Sequence, residues 1–148
     1  METWKLPDKI KILEALGAVV DGRLKVNHDN QTATCKSSDL KQEYNIKFDL
    51  KNNAITSDDN SAHWQGRLGY PAIAVLMELG ELPQNDRIAE VIKDLPWKEV
   101  NTQFKNDLTK TMQLVYEIAK AKNIKEVELN HYMDQVMEII VEKSYKNL

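Results

Sequence analysis

The period of the hydrophobic pattern changes once along this chain, and that change limits the class of fold open to it. From Tyr44 to Leu50 the residues alternate, with Tyr44, Ile46, Phe48 and Leu50 on one face and Asn45, Lys47 and Asp49 on the other. Period two with one polar face is a half-buried antiparallel strand. After Pro71 the apolar residues recur every three to four positions, the period of a helix. A strand-rich part (about 8–57) followed by a helical part (about 71–147) reads as α+β within one 1–148 domain: an N-terminal helix and a small antiparallel meander, then four helices.

Local signals fill in each part. Ile10, Ile12, Leu13 and Leu16 predict a short helix with Asp8 as N-cap and Gly17 as C-cap. Asp21-Gly22 between β-prone residues predicts a hairpin turn. Thr32–Lys36, Tyr44–Leu50 and Ala54–Thr56 complete a meander of four or five strands. Ala72 to Leu79 is almost wholly apolar, which predicts a helix buried all round. Asp86–Leu95 reads as an amphipathic helix. Pro96 then opens a long helix running through Val100, Phe104, Leu108, Met112, Val115 and Ala119. A final helix spans about Glu126 to Lys146.

The two regimes meet in Ser57–Pro71, a connection that holds acids, a histidine, a tryptophan, an arginine and two glycines. Loops on a rigid scaffold carry function more often than cores do, so Asp58, Asp59, His63, Trp64, Gln65, Arg67 and Tyr70 are the candidate ligand- or partner-binding residues. Gly66-Arg67-Leu68-Gly69-Tyr70-Pro71 leads into a helix N-terminus, whose free N–H groups attract anions. The Lys-Ser/Thr pair of a phosphate loop is missing, as is the dinucleotide fingerprint. The same residues also suit a plain junction, with glycines for turns and aromatics for packing.

Other chemistries fare worse. Asp58, Asp59, Asn60 and His63 lack the spacing of a calcium loop and offer one histidine, so no metal is expected. Glu128 and His131 form the chain's sole Glu-x-x-His pair, and a di-iron bundle needs two. The lone cysteine, Cys35, falls mid-strand and excludes an internal disulfide. There is no Gly-x-Ser-x-Gly elbow, and the element that would make a winged-helix DNA reader is absent. No cofactor is expected.

Charge adds one exclusion. Through Thr56 there are nine Lys/Arg and eight Asp/Glu, and beyond it eleven and fifteen, for a net charge of −3. Neither part carries the basic surplus of a nucleic-acid binder. No apolar run reaches the ~20 residues of a membrane span, and a cytoplasmic protein is expected. A Met and aromatic stripe (Met112, Tyr116, Tyr132, Met133, Met137) suits core packing or self-association. The leading expectation is a small, non-enzymatic protein that binds a protein partner or itself through the Trp64–Tyr70 loop. The alternative is a small-molecule or anion-binding protein, an enzyme among the options, using the 58–72 loop and the following helix N-terminus.

Overall fold

The computed structural model describes residues 1–148. In chain order the elements are α1 (Ile10–Val20), β1 (Leu24–Asn27), β2 (Thr32–Lys36), β3 (Glu43–Asp49) and β4 (Ala54–Ser57). They continue with α2 (Asn60–Gln65), α3 (Tyr70–Glu78), α4 (Asp86–Ile92), α5 (Trp97–Gln103), α6 (Leu108–Ala121), α7 (Glu126–Lys143) and β5 (Lys146–Asn147). An N-terminal helix, an antiparallel meander and a helical C-terminal half are all present, as the change of period implies.

The apolar run after Tyr70 is the centre of the molecule. Every residue from Pro71 to Met77 is buried. Such a helix has no polar side to offer water, so it must be covered on all sides. It packs on α1 and meets β1, β2, β3 and β4. The sheet runs in the order β1-β2-β3-β4-β5, with β1 to β4 antiparallel and β5 parallel to β4. Ile46 and Phe48 of β3 face inward as their alternation requires, beside Ala33 and Cys35 of β2. Buried residues of α1, the sheet, α3, α4, α6 and α7 form one continuous apolar cluster.

Five local expectations are corrected. Asp21-Gly22 ends α1 and makes no hairpin: Gly22, at φ +68°, donates to Val19 O and Arg23 N donates to Ala18 O. That bond pair is a Schellman stop, which takes glycine for its left-handed residue just as a hairpin turn would. The β1–β2 turn falls at residues 28–31, where Asn27 Oδ1 accepts from Asn30 N and Gln31 takes the left-handed position. Asp8 makes no cap bond. Its carboxylate faces Arg67 Nη1 at 3.4 Å, and Lys9 precedes the helix.

The long helix from Pro96 breaks into α5 and α6. Lys105 and Asn106 both take positive φ, and Asp107 caps α6 by accepting from Thr109 N and Lys110 N. The side-chain cap outweighs a continuous apolar stripe. The last helix stops at Lys143, with Ser144 left-handed, so that Lys146-Asn147 can pair with β4.

Gly17 is not a C-cap but lies inside α1, where glycine is unfavourable by about 1 kcal/mol relative to alanine. A Cβ there would meet Trp97 Nε1 at 2.8 Å, so the missing side chain makes room for the indole crossing from α5. The two effects oppose each other in a Gly17→Ala variant. Propensity favours it by about 1 kcal/mol, and overpacking costs about 1–3 kcal/mol. Urea denaturation is expected to find Gly17→Ala less stable than wild type and its tryptophan emission shifted. A gain in stability would mean that the indole does not depend on this gap.

Candidate functional site

The Ser57–Pro71 connection is a built junction. Asp58 accepts from Asn45 N at 2.8 Å and from Asn45 Nδ2 at 2.9 Å, closing the end of the β3–β4 hairpin. Asp59, 5 % exposed, accepts from Ser57 Oγ at 2.6 Å and caps α2 through Ala62 N at 3.3 Å. The carboxylate of Asp59 lies against Gly69, the N-cap residue of α3, where an added Cβ would stand 2.8 Å from Asp59 Cγ. The helix N-terminus that an anion could occupy therefore already has a carboxylate of the protein against it.

The remaining residues of the connection divide. His63 and Trp64 project into solvent and stack edge-on, ring centroids 4.4 Å apart. Gln65 is also exposed. Residues 66–68 are held by the N-terminal segment, since Lys5 N donates to Gly66 O and Leu68 N donates to Lys5 O. Arg67 is half-buried beside Asp8. Tyr70 turns the other way and meets Tyr44 edge-on at 6.3 Å. No three His, Cys, Asp or Glu side chains converge anywhere in the chain. Cys35 is fully buried, and burial pushes its thiol up to about 12, so it is no thiolate at neutral pH.

Tyr70 leads to a polar cleft of about 250 Å³. Lys11 and Glu14 of α1 form one wall and Trp97, Lys98 and Asn101 of α5 the opposite one. Arg23, at the start of β1, closes the base, with Ser37 and Ser38 of the β2–β3 connection at the edge. Local structure explains each placement. The Schellman stop turns the chain so that Arg23 leaves α1 pointing back along it. Lys98 N donates to Ser38 Oγ at 2.9 Å and Asp94 N donates to Asp21 Oδ1 at 2.9 Å, which ties the start of α5 across the top.

The electrostatics of this cleft are incomplete. Glu14 is 3 % exposed, and its Oε1 accepts from Asn101 Nδ2 at 2.6 Å. Glu14 Oε2 lies 2.8 Å from Lys11 Nζ, close enough for an ion pair but misdirected for a hydrogen bond. Arg23, 7 % exposed, donates from Nη1 to Lys36 O at 2.9 Å. Its Nε makes no hydrogen bond, and the nearest carboxylate, Asp21 Oδ2, stands 3.9 Å away. Trp97 Nε1, buried over Gly17, also has no acceptor. A second hollow of about 430 Å³ shares Lys11, Asn60 and Asn106 with the first and reaches Gln65 and Arg67. Of the residues singled out in the connection, Tyr70 lines the cleft, whereas Gln65 and Arg67 line the second hollow.

Glu14, Arg23 and Trp97 carry no motif, and the connection drew attention away from them. One signal was available. Glu14 is the lone charge between Ile12 and Val20, an acid set into the buried stretch of a helix. Buried charges need partners.

Burial raises the Asp59 carboxyl above the ordinary aspartate range, against the hydrogen bonds that lower it. A carboxyl raised in the folded state stabilises the fold fully below its unfolded pKa and loses that contribution as pH rises through the folded value. Wild type should therefore gain stability relative to Asp59→Asn as pH falls from 7 toward about 4. Urea midpoints of the two proteins across that range measure the difference. A constant difference, or one that shrinks toward acid, would contradict the burial of an ionised Asp59.

Neither the curated proteins nor the solved structures contain a match to this chain. Residues 4–146 match the family described as "Uncharacterised conserved protein UCP014422", and the chain belongs to that family.

Proposed function

We propose that this protein binds a small polar molecule in the cleft between α1 and α5. One observation supports this most. Of the four buried side-chain atoms that lack a hydrogen bond, three (Glu14 Oε2, Arg23 Nε and Trp97 Nε1) belong to residues lining this cleft. A buried polar atom left unmatched costs about 1–3 kcal/mol. Arg23 Nε and Trp97 Nε1 stay unmatched, Glu14 Oε2 has the Lys11 ammonium at 2.8 Å, and the side chains that carry all three line one hollow, where a polar ligand would meet them. The arginine fork suits a planar anion, and the hydroxyls of Ser37 and Ser38 supply orientation. The tyrosine pair Tyr44–Tyr70 gives the cleft an aromatic edge.

A stability measurement tests this without knowledge of the ligand. Arg23→Met removes the buried cation and keeps an apolar stem. Replacing an under-paired buried charge by a well-packed apolar group is neutral or stabilising. The variant is expected to match or exceed wild type in urea. A loss of about 3–5 kcal/mol, the usual result of breaking a satisfied buried pair, would make Arg23 a structural residue.

Protein contact through the Ser57–Pro71 connection is the second reading, favoured by Trp64, which is 77 % exposed. Tryptophan is among the residues that dominate interfaces when covered. The fold owes this side chain little, so Trp64→Ala should change stability by less than about 0.5 kcal/mol. Sedimentation should then find a concentration-dependent mass in wild type that is lost in Trp64→Ala. A wild type that stays monomeric throughout would remove self-association through this face.

A further inference from the structure

Away from the cleft, we infer that the face formed by the N-terminal segment and α7 is the interface of a twofold homodimer. Leu6 and Val141 are 47 % and 54 % exposed, yet both line one hollow of about 220 Å³, with Trp4, Leu68 and Ile140 in its walls. Val141 also lines the adjoining hollow, beside Met137 and Glu138. Single exposed apolar residues are ordinary, whereas apolar residues that share a hollow form a patch.

The charges beside the patch identify a second copy as its cover. The N-terminal segment runs beside α7 in the opposite direction, because Trp4 N donates to Tyr145 O at one end and Lys9 pairs with Asp134 at the other. Lys5 therefore stands level with the last turn of α7. On α7, Ile140 is buried to one side of Val141, and the ~100° step per residue carries Glu142 to the opposite, outer flank. Glu138 precedes Glu142 by one turn. The patch thus has a basic strip along one side (Lys5, Lys9) and an acidic strip along the other (Glu138, Glu142). Lys9 is already paired, but Lys5, Glu138 and Glu142 make no ion pair within the chain.

Such a face is complementary to itself. A twofold axis that lies between the strips and parallel to them sets the segment of one protomer over α7 of its partner and keeps every residue at its level. Lys5 then meets the partner's Glu142, twice by symmetry, and Leu6 and Val141 are enclosed between the strips. An axis across the strips would set lysines on lysines and acids on acids, which like-charge repulsion disfavours.

Sedimentation equilibrium of the full chain tests this, with Trp64→Ala as background: mass that survives that change belongs to this face, and mass lost with it to the Ser57–Pro71 connection. In that background the chain should dimerise. Lys5→Glu and Glu142→Lys should each raise the dimer Kd by about tenfold or more, since each creates two like-charge contacts. Both positions are exposed, so the monomer keeps its fold. Combining the two swaps should bring Kd back to within about threefold of its starting value. A monomer at every concentration would overturn the inference. So would a dimer that neither single swap weakens, or one that the combined swap fails to restore.

Discussion

Every layer of this fold follows from a helix that cannot face water. Seven consecutive residues of α3, from Pro71 to Met77, are buried, so α1 must cover one side and four strands the other. Full burial of one large apolar side chain stabilises by about 1.5–3 kcal/mol, and α3 supplies Ile73, Val75, Leu76 and Met77. The same burial extends to its N-terminus. Gly69 has to be a glycine because the Asp59 carboxylate lies against it, and Asp59 has to be engaged because it is buried. The junction between strands and helices is thus dense with polar groups for a structural reason.

The cleft follows a different logic. At the junction Asp59, the buried acid, has donors within hydrogen-bond distance, whereas around the cleft a guanidinium nitrogen and an indole nitrogen go without and a carboxylate oxygen has the ion pair with Lys11 alone. Both regions lie in one molecule and share Tyr70 as a boundary. Natural folds leave few buried polar atoms unmatched. Their gathering in one hollow sets it apart from the junction next to it, where the demand is met.

Much of the fold was legible because it rests on local period and strong punctuation. The β3 alternation, the buried run of α3 and the strand around Cys35 are all read directly from residue order. What misled were signals with two physical meanings. Asp21-Gly22 suits a hairpin or a helix stop, since both need a left-handed glycine, and only Arg23 N reaching Ala18 O decides between them. The apolar stripe from Val100 to Ala119 ran through Asn106-Asp107, a cap pair that breaks it. The cleft was illegible because its members are 9, 74 and 83 positions apart, at Glu14, Arg23 and Trp97, and nothing local marks them as neighbours. Gly17 is the clearest case: its reason is an indole from α5, a contact no window of sequence contains.

The indole resonances of the three tryptophans test the central claim most directly. Trp4 Nε1 donates to Ile55 O at 2.8 Å, Trp64 stands in water and Trp97 Nε1 has no acceptor. Three indole N–H peaks, assigned by single Trp→Phe variants, can be followed by NMR as phosphoethanolamine or serine is added. The cleft account predicts that the Trp97 peak, whose side chain lines the cleft, shifts while those of Trp4 and Trp64 stay in place. A fixed Trp97 peak, with Trp64 moving instead or nothing moving at all, would contradict it.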